Sequence, residues 1–310
     1  MNKLIKKRGE MNMKEVPVEA TLTSVGVEKK SKGRFFEFWK AFRKKKSALI
    51  SFYFIILLLL LMVVGPFITP YDPAEPDYFK LLESPSINHV FGTDEYGRDI
   101  LSRIIAGAQI TLSVSISAVL LGAIGGTILG LVSGFFGKWI DKIIMRICDV
   151  LFAFPDLILG IGIVAILGPG LQNVMIAIAF FSIPSFARIV RGATLEAKEM
   201  LFVESAKSIG ASKVRILFKH ILPETIPVII VYFTMTVGSA ILSAASLSFL
   251  GLGAEPSSPD WGAMLSMSRD YIGSSFHLVF FPGLIIFLTV LAFNLFGDGL
   301  RDVLDPKTKN

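Results

Sequence analysis

The stretch SALISFYFIILLLLLMVVGPFITPY, residues 47–71, holds no Asp, Glu, Lys or Arg. About 20 apolar residues cross the hydrocarbon core of a bilayer, and only helices or closed barrels satisfy their backbone polar groups there. Nothing in the run alternates in polarity, so it reads as a helix and not as a barrel strand. Four more uncharged runs follow, at 104–137, 157–187, 225–254 and 271–297. The run at 157–187 is split by Gly168-Pro169-Gly170, a turn sequence. One helix should end near Leu167 and another start near Leu171, the first reaching back through Asp156 and Asp149 to about Ile143. The fold predicted is an all-α membrane protein with six transmembrane helices.

Composition supports that reading. The chain has 310 residues, is 53% hydrophobic and contains 26 Phe, more apolar surface than a soluble core absorbs. The single Cys148 excludes an internal disulfide and reads as a small buried hydrophobe. A net charge of +6 would suit a nucleic-acid binder, but its distribution points elsewhere. With the N-terminus inside, 27 of the 31 Lys and Arg fall on one side of the spans, leaving Lys80, Arg98, Arg103 and Arg269 on the other. The positive-inside rule then places both termini in the cytoplasm, with membrane lipid as the neighbour and no nucleic acid. The start, up to Arg8, is basic, yet no apolar region or cleavage site follows before Ser47, so the first span should be retained.

Residues 1–34 are polar and expected to be disordered. Phe35, Phe38, Trp39 and Phe42 then recur at helical spacing beside Arg34, Lys40 and Arg43, which suits a helix lying in the membrane interface. Between the first two spans, residues 72–103 read as a solvated external connection, with Asp99 and Arg103 as an exposed i, i+4 pair.

Several spans carry patterned faces. Ala118, Gly122, Gly126, Gly130 and Gly134 place a small residue at every fourth position, a ladder that lets another helix approach backbone to backbone. Tyr232, Thr236, Ser239, Ser243 and Ser246 form one weakly polar stripe on the fifth span. It suits either a wet path for a polar solute or a helix seam bridged by hydroxyls. Arg146, Asp149 and Asp156 would share a face of the third span, the first two as a boundary ion pair. A carboxylate at the bilayer centre costs roughly 2.5–3.5 kcal/mol, so Asp156 should face protein or water, for transport or for helix pairing. Asn294, Asp298 and Arg301 would close the end of the last span as a polar network.

The loop at 188–224 is helical in pattern. Phe202, Val203, Ala206 and Ile209 form an apolar face, Gly210 suits the left-handed position that ends a helix, and Ser212 can cap a second helix running toward Leu222-Pro223. Such a projecting amphipathic surface is either a docking site for a soluble partner or an interfacial helix.

Glu204-Ser205-Ala206, Gly210 and Ile221-Leu222-Pro223 resemble the E-A-A…G…I-L-P loop of bacterial ABC-importer permeases, with Ser205 where Ala is usual. Residues 91–94 (FGTD), 97–99 (GRD), 246–253 (SLSFLGLG), 261–264 (WGAM), 292–295 (AFNL) and 297–302 (GDGLRD) narrow the likeness to the C-type permease of dipeptide and oligopeptide importers, over residues 35–306. The resemblance implies a type I importer bundle in the bacterial inner membrane. It implies a permease domain at 101–304 with its coupling loop at 194–224, preceded by an interfacial helix, first span and external segment at 35–100 and followed by a tail at 305–310. Its partners would be a B-type permease, two ATPase subunits and an extracytoplasmic substrate-binding protein. Phe202, Glu204, Ala206, Gly210, Leu222 and Pro223 would couple to the ATPases. Tyr232, Thr236, Ser239, Ser243, Ser246 and Asp156 are the candidate path, and the ladder at Gly122, Gly126, Gly130 and Gly134 packs helices.

This chain has no G-x-x-x-x-G-K-[ST] phosphate loop, so ATP and Mg²⁺ would be used by the partner subunits. His89, His220 and His277 lack metal-ligand spacing and no catalytic grouping stands out, so neither cofactor, metal nor enzyme activity is expected. The rival readings are a gradient-driven transporter or channel and, within the importer class, nickel, metal-chelate or another small solute in place of peptides.

Overall fold

The computed structural model describes residues 34–255 and 257–304. The tail expected at 1–34 lies outside the described residues apart from Arg34, and that expected at 305–310 lies outside them entirely. The chain divides after Lys40 into two compact units. In order the helices are α1 (Arg34–Phe42), α2 (Lys46–Ile68), α3 (Ile100–Phe136), α4 (Lys138–Phe152), α5 (Asp156–Leu167) and α6 (Leu171–Lys198). Then come α7 (Leu201–Ser208), α8 (Lys213–Arg215), α9 (Leu222–Phe249), α10 (Trp261–Ser268) and α11 (His277–Leu304). A π turn, Ile216–Ile221, joins α8 to α9.

Among the described residues, five helical stretches are long and apolar enough to cross a membrane: α2, α3, α6, Lys213–Phe249 and α11. The expected third span is not one helix. It breaks at 153–155, and α4 and α5 meet at 90°, because Pro155 lacks the amide hydrogen that would continue the ladder and disfavours helical geometry in the residue before it. Asp156 therefore does not share a face with Arg146 and Asp149, which stay together on α4.

Helix α3 and helix α6 form the centre. A methyl added at Gly122 would meet Ser182 Cβ at 2.7 Å, at Gly126 Phe186 Cβ at 2.4 Å, at Gly130 Ala187 O at 2.6 Å and at Gly134 Thr194 Cβ at 2.8 Å. The ladder is thus an internal seam in which only hydrogen fits. Numbers rise together along both helices, so α3 and α6 run parallel. Parallel neighbours require the chain between them to return to its starting end, so the bent α4–α5 pair supplies the sixth crossing, made by α5 beyond the 90° bend. Buried Leu112, Val119, Ile178, Phe186, Ile241 and Leu247 complete the core.

Two of the expected polar contacts differ. Asp149 pairs with Arg188 of α6, Nη2–Oδ1 2.8 Å, and not with Arg146. Lys45 meets Asp302 where α2 and α11 come together, while Asn294 bonds back to Val290 O of its own helix at 2.9 Å. No network of Asn294, Asp298 and Arg301 is present among the described residues.

Candidate functional site

Asp156 opens α5, and the tight turn at 168–170, with Gly168 and Gly170 at φ +93° and +139°, lays α5 back along α6. That places Asp156 beside Ser182 and Ser185 of α6 and Tyr232, Thr236, Ser239 and Ser243 of α9, around a cavity of about 90 Å³. The hydroxyls bond back to their own helix: Thr236 donates to Tyr232 O at 2.8 Å, Ser239 to Thr236 O at 2.9 Å and Ser182 to Ile178 O at 2.7 Å. Each satisfies its hydrogen locally and leaves lone pairs for what fills the cavity. Asp156 has no cation within ion-pair distance among the described residues.

Ser246 does not join them. It lines a separate apolar cavity of about 290 Å³ with Leu157, Leu242, Phe249, Leu265 and Ile286. A heptad-like spacing drifts about 20° per seven residues on a straight helix, so over two repeats the stripe turns away. Ser182 and Ser185 escaped the sequence reading. Their i, i+3 spacing beside Pro184 is too short a polar pattern to stand out in an apolar span.

At the far end of α3 and α6 sits α7. Val203 and Ala206 are buried against Leu131, Phe135, Val190, Ala197, Ile216 and Ile221, while Leu201 and Ile209 are 80% and 85% exposed and Phe202 and Glu204 also face outward. Gly210, at φ +77°, ends α7, and Ser212 Oγ accepts from Arg215 N–H at 3.3 Å to start α8. Ala206, one turn after Val203, packs against this chain's own bundle. The second helix does not stop at Leu222-Pro223. Both continue the helix from the π turn into α9, with Leu222 half-buried and Pro223 exposed.

The opposite end holds a packed polar knot where a solvated connection was expected. Asp94 accepts from Tyr96 N–H and Arg98 N–H at 2.9 Å each and from Arg98 Nε at 2.7 Å. Asp99 caps α3 through Ser102 N–H at 2.8 Å and meets His89 Nδ1 at 3.0 Å. Arg103 is only 1% exposed; its guanidinium donates to Pro73 O at 3.0 Å and Ser258 O at 2.9 Å. Asp99 and Arg103 are therefore not an exposed pair. They face separate partners, because the segment folds onto α10, where Trp261 Nε1 donates to Ile104 O at 2.9 Å. Gly97, at φ +77°, lies so close to Asp77 O that a methyl would sit 1.8 Å from it. Burial pushes the Glu95 carboxyl above its ordinary range, and the Phe79 N–H holds the Asp77 carboxyl below it.

A helical bundle with a broken third crossing, a hydroxyl-lined cavity and an anchored helix projecting from one end is the architecture of a membrane transport subunit. Residues 126–310 match the family described as binding-protein-dependent transport system inner membrane component, and residues 34–85 match the N-terminal TM domain of oligopeptide transport permease C. The chain is 53% identical over 274 residues to the glutathione transport system permease protein GsiD of Escherichia coli O6:K15:H31 (strain 536 / UPEC), covering 88% of this chain and 90% of that protein. The same figures hold for GsiD of Shigella boydii serotype 4 (strain Sb227). The fold is shared with a chain of the MetNI methionine ABC transporter in inward-facing conformations, at TM-score 0.56 and 21% identity over 66% of this chain and 97% of that one. The chain belongs to the binding-protein-dependent inner-membrane component family and is a multi-pass permease subunit of an ABC importer, not itself an enzyme.

Proposed function

We propose that this permease imports di- or oligopeptides, driven by two partner ATPases, with α7 as this chain's docking site for an ATPase, and that it pairs with a B-type permease and receives substrate from an extracytoplasmic binding protein. The observation that carries the coupling is the two-sided burial of α7. Its inner face is locked to the ends of α3 and α6, so a push on the outer face at Leu201, Phe202, Glu204 and Ile209 moves the core seam as a body. Gly210, Leu222 and Pro223 set the path from α7 into α9, which lines the cavity. Both termini and α7 lie in the cytoplasm on this reading, as the Lys and Arg distribution favours.

Two features favour a peptide. The cavity offers one carboxylate among hydroxyls, a complement for the ammonium group that every free peptide carries. Relatives at 53% identity are named as glutathione permeases, which favours small peptides over nickel or metal chelates. Residues 35–100 would serve as the interfacial helix, first span and external segment, and 101–304 as the permease domain.

The test is uptake of a labelled dipeptide and of labelled glutathione into vesicles holding the complete complex and its binding protein. ATP-dependent uptake is expected, and Glu204→Ala combined with Phe202→Ala should abolish it while the subunits stay assembled. Uptake driven by an ion gradient without the ATPases would refute the coupling, and competition by nickel but not by peptides would refute the substrate class.

A further inference from the structure

Helix α4 carries two acids and three bases, and the structure uses them unequally. Asp141 is gripped by Arg191, Nε–Oδ1 2.5 Å and Nη2–Oδ2 2.6 Å, and Asp149 is paired with Arg188. Both acids are thus consumed by α6. Lys138, Lys142 and Arg146 have no ion-pair partner among the described residues and are exposed. What α4 presents outward is positive.

Beside that charge runs an apolar stripe. Trp139, Ile143, Ile147 and Val150 are 67%, 51%, 58% and 55% exposed, at spacings of four, four and three that keep them on one side of the helix. Among the described residues, none covers them. The helix is amphipathic, with Trp and bases together on its open side, the composition of helices that lie in a membrane surface.

Its placement agrees. Asp141 and Asp149 are eight residues apart, about 12 Å along α4. Their partners Arg191 and Arg188 are three apart, about 4.5 Å along α6. Helix α4 therefore crosses α6 at a steep angle and stays near one height. That height is the point where the uncharged run of α6 ends, at Ala187, which is the hydrocarbon boundary. The 90° bend into α5 and the left-handed Gly137 and Lys138, φ +63° and +52°, turn the chain into and out of that plane.

We infer that α4 is a lipid-binding surface that seats Trp139, Ile143 and Ile147 at the acyl boundary and holds anionic phospholipid headgroups through Lys142 and Arg146, with Lys138 at its start. Bases near an anionic membrane surface each strengthen attraction to it, and the attraction fades with salt. Because α4 holds the end of α3 to α6, lipid on its open side would steady the seam that α7 leans on. The proposal does not depend on the substrate or on docking at α7.

The assembled complex, purified with its partner subunits into nanodiscs containing phosphatidylglycerol and phosphatidylcholine, tests it by native mass spectrometry of retained lipid. Wild type should retain phosphatidylglycerol preferentially, and Lys142→Gln/Arg146→Gln should lower that preference by about 25-fold, at roughly fivefold per base. The control Lys207→Gln/Lys213→Gln should leave it unchanged. Unchanged retention in the α4 variant would overturn the proposal. In an otherwise native complex, a fluorophore on Ile143→Cys should be quenched by headgroup nitroxide lipids. A label that lipid nitroxides cannot reach, because a partner subunit covers α4, would equally overturn it.

Discussion

Arg191 holds Asp141 by both carboxylate oxygens, at 2.5 and 2.6 Å, and Ser133 donates to the same carboxylate from α3 at 2.5 Å. One carboxylate thereby joins three helices where the long crossings end. Bidentate guanidinium–carboxylate pairs are geometrically demanding, and lysine cannot reproduce the fork. Both groups are partly shielded, with side chains 31% and 20% exposed. Removing the guanidinium would leave a half-buried charge with one neutral donor.

Arg191→Met should therefore destabilise the bundle by about 2 kcal/mol, the loss typical of a charge-assisted hydrogen-bond pair. Arg191→Lys should recover only part of it. Thermal unfolding of the purified complex, followed by loss of native subunit assembly, measures both, and a lysine variant as stable as wild type would deny the bidentate geometry its role.

The glycine seam predicts a contrast between two alanine substitutions. At Gly126 a methyl would sit 2.4 Å from Phe186 Cβ and 2.6 Å from Ile183 O, so α3 and α6 must separate. Overpacking of this kind costs about 1–3 kcal/mol. At Gly162 of α5 nothing lies within 4 Å, and Gly162→Ala should be neutral or stabilising by about 0.5 kcal/mol through helix propensity. Equal effects at the two positions would contradict the seam.

Much of this was legible in the sequence, for physical reasons. The spans were readable because lipid demands long uncharged runs, and the ladder at Gly122 to Gly134 because backbone contact leaves a fixed period. The turn at 168–170 was announced by its glycines. What stayed hidden depended on partners distant in the chain. Asp149 found Arg188 and not Arg146, because Arg188 is brought in by α6 from 39 residues along the chain, where no local spacing points to it. Asp99 and Arg103, four apart, looked like a surface pair, yet the contacts that bury them come from His89 and from the segment before Trp261. Ala206 belonged to the recognised loop motif, but only the packing of α7 on Val190 and Ile216 shows which way it faces.

The external knot should respond to pH through Glu95. Burial is the largest influence on its carboxyl and raises it above 4.5. A group whose folded pKa is raised contributes stability below its unfolded value, and that contribution is lost as pH rises through the folded value. Protection of the Thr93 and Gly97 amides against hydrogen exchange, corrected for intrinsic rates, should thus decline as pH rises from about 4 toward neutrality. Glu95→Gln removes the titration, so its protection should stay level and exceed wild type at pH 7. A decline of the same size in the variant would assign the pH response to another group.

The cavity makes the last prediction, because it separates residues that the sequence grouped. Ser239 and Ser243 lie with Asp156 in the polar cavity, whereas Ser246 faces Leu242, Phe249 and Ile286 in the apolar one. A thiol reacts as thiolate, which needs water. Ser239→Cys and Ser243→Cys should react with a small charged thiol reagent several-fold faster than Ser246→Cys, over a low background because native Cys148 is buried. Substrate peptide should slow the first two and leave the third alone. Asp156→Asn keeps the size and polarity of the side chain while removing its charge, so it should weaken that protection and raise the KM for uptake more than it lowers kcat. Equal reactivity at all three serine positions, with no protection by peptide, would exclude the polar cavity from the path.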